Sequence, residues 1–109
     1  MMQLNGFGQD KNILYLNLKK TKTFLKDFEL FLCAEFSMYF SVSSDKVKSK
    51  SLNEDISKMI DYHKFYLIND LRVDLFFGKE KVFVIFTNVT NKQITKIKSK
   101  LKDYFVMKG

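Results

Sequence analysis

Between Leu71 and Phe105 the spacing of apolar residues changes once, from every second residue to every third or fourth. Leu71, Val73, Leu75 and Phe77 alternate with Arg72, Asp74 and Phe76, a period that an extended strand sorts onto opposite faces. Gly78, Lys79 and Glu80 interrupt the pattern. KVFVIFT, residues 81–87, then resumes it, with Val82, Val84 and Phe86 in one phase and Phe83 and Ile85 in the other. The two runs predict a β-hairpin over 71–77 and 81–87. Apolar residues in both phases make 81–87 a central strand. Past Asn88–Asn91, with Thr90 or Asn91 as cap, Ile94, Ile97, Leu101, Tyr104 and Phe105 share an arc of roughly 100° on a helix over 92–105. A chain holding both periods side by side is neither all-helical nor all-sheet.

Upstream, NILYLNL at 12–18 places Leu14, Leu16 and Leu18 in one phase and reads as a strand. Residues 1–11, with Gly6 and Gly8 around Phe7, read as a flexible lead-in. The stretch from Phe28 to Val42 supports two readings. Every even position is apolar, which argues for strand, yet strands mostly have roughly 3 to 10 residues. On a helix over 21–34, Phe24, Leu25, Phe28, Phe31 and Leu32 share one arc. The reading adopted is helix 21–34 followed by strand 36–42, with a long hairpin or bent strand as the alternative. SSDKVKSK, residues 43–50, is a polar linker. Ser51 and Glu54 form a capping-box signature for a helix over 52–61, and KFYLI at 64–68 is a further strand.

At 109 residues the chain is short for anything beyond one domain, here 1–109, and too short for a TIM barrel or a full dinucleotide-binding fold. The expected fold is a small α+β structure. A mostly antiparallel sheet carries two or three helices on one side, and the chain ends in a β-hairpin followed by an amphipathic helix.

The formal charge is +7, and it is uneven. Residues 1–45 balance five lysines against five acids, so the excess belongs to 46–109. Residues 92–109 hold six lysines against Asp103 alone. Lys92, Lys96, Lys98, Lys100 and Lys102 lie outside the apolar arc of the last helix, where they would contact a nucleic-acid phosphate backbone or an acidic protein surface. Like charges at i,i+4 cost about 0.2–0.5 kcal/mol per pair, a mild argument that the row has a use. Arg72 is the single arginine. Lysine is a mobile point charge where arginine is a planar fork, so the composition favours loose backbone contact over base readout. Abundant lysine, asparagine, isoleucine and phenylalanine also match coding from an AT-rich genome.

Chemistry-bearing residues are sparse. One cysteine and one histidine exclude an intramolecular disulfide and the common multi-cysteine and multi-histidine metal centres. His63 reads as a partly buried, locally bonded histidine near the inner-face phase of Met59 and Ile60, with Asp61 or Asp70 as the carboxylates in reach. Cys33, among Phe31, Leu32 and Ala34, reads as a buried small apolar residue. Glu54 and Asp55 are explained by a helix start and Asp74 by the polar phase of a strand. No phosphate-cradling or metal-binding motif is present, and no cofactor is expected. Tyr39, Tyr62, Tyr66, Phe76 and Phe83 are candidate stacking rings for a single strand. Arg72 and Phe76 share a strand phase, and if exposed together they make a stacking site or an interface anchor.

The sequence therefore predicts an intracellular, non-catalytic nucleic-acid-binding protein using the last helix. The alternative is a protein-interaction factor, an inhibitor or adaptor of viral or mobile-element origin acting on a host protein. A small metal-independent ribonuclease ranks third. No apolar run is long enough to span a membrane as a helix, and a homodimer would suit either binding class.

Overall fold

The computed structural model describes residues 2–36, 42–45 and 62–107. Among the described residues, seven strands and two helices follow one another. They are β1 (Met2–Asp10), β2 (Ile13–Lys19), α1 (Phe24–Phe36), β3 (Val42–Asp45), β4 (Tyr62–Ile68), β5 (Leu71–Phe77), β6 (Lys81–Thr87), α2 (Asn91–Tyr104) and β7 (Phe105–Met107). The strands form one sheet in the order β3-β4-β5-β6-β2-β1-β7. Every neighbouring pair is antiparallel except β1 with β7. The result is a mixed, mostly antiparallel sheet with both helices on one side.

The β4–β5–β6–β2 ladder keeps its register without a slip, so the period-two pattern separates the two faces. Leu14, Leu16 and Leu18 meet Phe86, Val84 and Val82, which in turn meet Val73, Leu75 and Phe77. These residues are buried beneath the helices. Asn69, at φ 55°, turns β4 into β5, and Lys11, at φ 53°, turns β1 into β2. Asparagine takes that left-handed backbone readily, whereas lysine does so at a cost.

Helix geometry prevails over alternation in the ambiguous stretch. Phe24, Phe28, Phe31 and Leu32 are buried while Leu30 is 59% exposed, as a 3.6-residue period requires and a two-residue period forbids. Phe31 lies 5.7 Å from Phe28, 4.9 Å from Tyr104 and 5.5 Å from Phe105, ring centre to ring centre, and so joins α1 to the end of α2 and to β7. Thr90 caps α2 by a reciprocal pair: Gln93 N–H donates to Thr90 Oγ1 at 3.1 Å, and Thr90 N–H donates to Gln93 Oε1 at 2.9 Å.

Several expectations are corrected. Residues 1–11 are no lead-in: Met2 and Leu4 bury their side chains under the helices while β1 fills the place between β2 and β7. The register slips between Leu4 and Gly6, and this bulge is why no steady alternation marks the strand. The expected strand 36–42 begins instead at Val42, because Phe36 completes α1, and Ser43–Asp45 of the expected linker pair with β4. The rest of that strand and linker, and the helix expected at 52–61, fall outside the described residues. The last helix stops at Tyr104. Phe105 turns extended and enters β7, so the chain does not end on the hairpin–helix unit.

Candidate nucleic-acid interface

The five lysines of α2 sit in two rows rather than one cluster. With about 100° per residue, Lys92, Lys96 and Lys100 run along one flank and Lys98 and Lys102 along the other, with Thr95, Ser99 and Asp103 between them. The first row faces α1. Lys96 Nζ donates to the Glu35 backbone oxygen at 2.9 Å and lies 3.8 Å from Glu35 Oε2, so it answers an unpaired carbonyl in the last turn of α1. Glu35 also accepts the Tyr104 hydroxyl at 2.9 Å, and this bond raises the Tyr104 pKa above its ordinary value. Lys100 lies 3.7 Å from Asp103. The second row overlooks β1, where Lys98 Nζ stands 6.0 Å from the centre of the Phe7 ring. Lys92, Lys96, Lys98 and Lys102 are exposed. Lys92 and Lys96 also line a cleft of about 600 Å³ beside Asn69, Asp70 and Asn88, at the end of α2 whose first turn carries no acid.

On the opposite face, Arg72 and Phe76 share a strand phase but not an exposure. Arg72 is exposed, whereas Phe76 is only 6% exposed because the His63 ring stacks flat on it at 4.4 Å. The joint surface anchor of Arg72 and Phe76 is therefore not formed. His63 belongs to β4 and to the face away from the helices, not to a helix end, and its carboxylate partner is Asp74 rather than Asp61 or Asp70. His63 Nε2 and Asp74 Oδ1 lie 2.8 Å apart. Arg72 donates through Nε and a terminal nitrogen to the same carboxylate at 3.0–3.2 Å, which raises the already high Arg72 pKa. Its guanidinium lies 4.5 Å above the centre of the Phe65 ring. Asp74 is thus more than a polar strand residue: it ties β4 to β5 through side chains.

Cys33 is exposed rather than buried, as its place outside the helical arc requires. Of the expected stacking rings, Tyr66 is fully buried under the helices, where burial and then the nearby Glu29 charge raise its pKa. Tyr62 is half-buried on that same inner face, and Tyr39 lies outside the described residues. Phe83 is half-buried on the outer face, and Tyr15, in the phase of β2 opposite Leu14, Leu16 and Leu18, is 40% exposed there. Among the described residues no group of three or more His, Cys, Asp or Glu side chains gathers to hold a metal ion. No family model, curated relative or solved structure matches the chain.

Proposed function

We propose that the protein binds nucleic acid without catalysing its cleavage, and that α2 lies against the phosphate backbone through Lys92, Lys96, Lys98, Lys100 and Lys102. The observation that carries this reading is the helix surface. It exposes four lysines and carries one acid, Asp103, which already faces Lys100. Each flank presents a lysine row with the mobility suited to phosphate contact and without the rigid forks needed for base readout. Lys96 has a second duty in holding Glu35, so Lys92, Lys98 and Lys102 are the residues to change. In titrations of labelled DNA and RNA, single- and double-stranded, between about 50 and 200 mM salt, binding should weaken steeply with salt. The slope of log affinity against log salt should fall by about one for each of these lysines removed. Absence of micromolar binding at low salt, or affinity indifferent to their replacement by glutamate, refutes the reading. RNA cleavage lost on His63→Ala would refute its non-catalytic part.

A further inference from the structure

We propose that the sheet face turned away from the helices is a docking surface for single-stranded nucleic acid, held at one end by Lys19 and Lys81 and stacked by Tyr15 and Phe83. This rests on the nucleic-acid reading above and adds to it the class of nucleic acid and a second contact face. The register places the outer side chains in rows across the strands. Phe65, Asp74, Ile85 and Tyr15 make one row, and His63, Phe76, Phe83 and Asn17 the next. Beyond them, Lys19 stands directly opposite Lys81 at the end of the β2–β6 ladder.

Two like charges at facing positions of a ladder oppose folding, and a pair kept there points to an anion between or above them. Among the described residues, the Lys20 N–H donates to the Glu80 carbonyl at 2.8 Å, which brings Lys20 and Lys79 to this end beside Glu80, with Lys22 two residues further on. All of these side chains are exposed. Lys20 is spoken for, since its Nζ donates to the Gly78 carbonyl at 3.0 Å. Among the described residues, Lys19, Lys22, Lys79 and Lys81 have no carboxylate within ion-pair distance. The acid in the middle of the face, Asp74, is covered by His63 and Arg72, and the Lys19–Lys81 end is the part of the face that favours an anionic partner.

The rings select which polyanion. Tyr15 is flanked on β1 by Gly8, and Asn17 by Gly6; a Cβ at either glycine would meet nothing within 4 Å. The glycines therefore leave the β1 side of the Tyr15 ring open, with Phe83 diagonal to it on β6. Unpaired bases offer flat π-faces to such rings, and duplex bases are already stacked. A lysine pair beside partly exposed rings, on a sheet face that neither described helix covers, matches a backbone whose bases are free.

The test uses the whole chain and a fluorescent oligothymidine of about twelve nucleotides, with a duplex as competitor. Lys19→Glu should weaken binding about tenfold and flatten the salt slope, while raising the thermal midpoint, because an opposite-charge pair replaces a repulsive one. Those opposed signs separate lost contact from lost fold. Tyr15→Ala should weaken binding about 5- to 150-fold with the salt slope unchanged. Gly8→Val, which fills open space on a strand, should weaken binding with an unaltered circular dichroism spectrum. The inference is overturned if Lys19→Glu and Tyr15→Ala bind as the parent chain does while replacing Lys92, Lys98 and Lys102 abolishes binding; the proposed function then stands without it. Equal competition by duplex, or displacement by polyglutamate as effective as by single strands, also overturns it. If the parent chain binds no nucleic acid at low salt, both proposals fall.

Discussion

Leu30 and Phe31 are neighbours whose fates separate the two readings of the Phe28–Val42 stretch. In a strand, Leu30 would share the buried face with Phe28 and Leu32, and Phe31 would point away. In α1, Phe31 is fully buried and Leu30 is 59% exposed. Phe31→Ala deletes a ring with close aromatic neighbours on α1, α2 and β7. Truncating a buried Phe costs about 3–5 kcal/mol, and edge-to-face contacts put this site near the upper end. A domain of this size is worth only about 5–15 kcal/mol in total, so the variant sits near the edge of unfolding. Phe31→Leu, which keeps most of the volume, should cost about 1–1.5 kcal/mol. Leu30→Ala should stay within about 0.5 kcal/mol of the parent, since it removes surface already in water and substitutes a better helix former. Urea unfolding of the three variants, compared by midpoint at constant m, measures all of this. A Leu30→Ala cost equal to or above that of Phe31→Ala would refute the helix packing described here, and with it the placement of β7.

Three further outcomes are expected. Thr90→Ala removes the side-chain half of the α2 capping box and should lower stability by about 1 kcal/mol in urea unfolding; an unchanged midpoint would mean that the cap is idle. Tyr66 and Tyr104 both have pKa values raised above the ordinary value of about 10. The unfolded chain therefore loses these protons first, and the associated stability, complete below pH ~10, is lost as pH rises through the folded-state values. Urea midpoints that fall between pH ~9 and ~11, alongside late phenolate absorbance in the folded chain, would bear this out, and flat midpoints would contradict it. Lys11→Asn puts a residue tolerant of the left-handed backbone at φ 53° and should raise the thermal midpoint; a fall would show that the lysine side chain has a compensating contact.

The parts of the fold legible in the sequence are those where one apolar phase runs uninterrupted. The β5–β6 pairing and the arc of α2 both follow from it, because each buries one phase under a partner. β1 was illegible for the opposite reason. Its bulge breaks the phase after Leu4, and its outer side, which neither described helix covers, accepts Gly6 and Gly8 as readily as apolar residues. β7 contributes only Phe105–Met107, too short for a period of its own. The α2 lysines could be found because they repeat along one element. Lys19 and Lys81 could not: each belongs to an ordinary local charge run, and only the β2–β6 ladder sets them face to face. His63 and Asp74 are likewise unconnected in the sequence pattern, because their meeting depends on which strands adjoin and on the phase of each.

The parallel pairing of Met2–Leu4 with Phe105–Met107 also governs the order of assembly. It joins segments nearly the whole described chain apart, so its loop-closure penalty falls due before any local contact can offset it. The β1–β2 hairpin and the β4–β5–β6 meander can each form from neighbours in sequence, but β1 keeps one bare edge until α2 has docked and brought β7 alongside. A ribosome would release that edge exposed for the whole time it takes to make the remainder of the chain. Pulse-labelled hydrogen exchange during refolding should therefore find the Met2–Leu4 and Phe105–Met107 amides protected last. Protection there ahead of the β5–β6 hairpin would reverse the order.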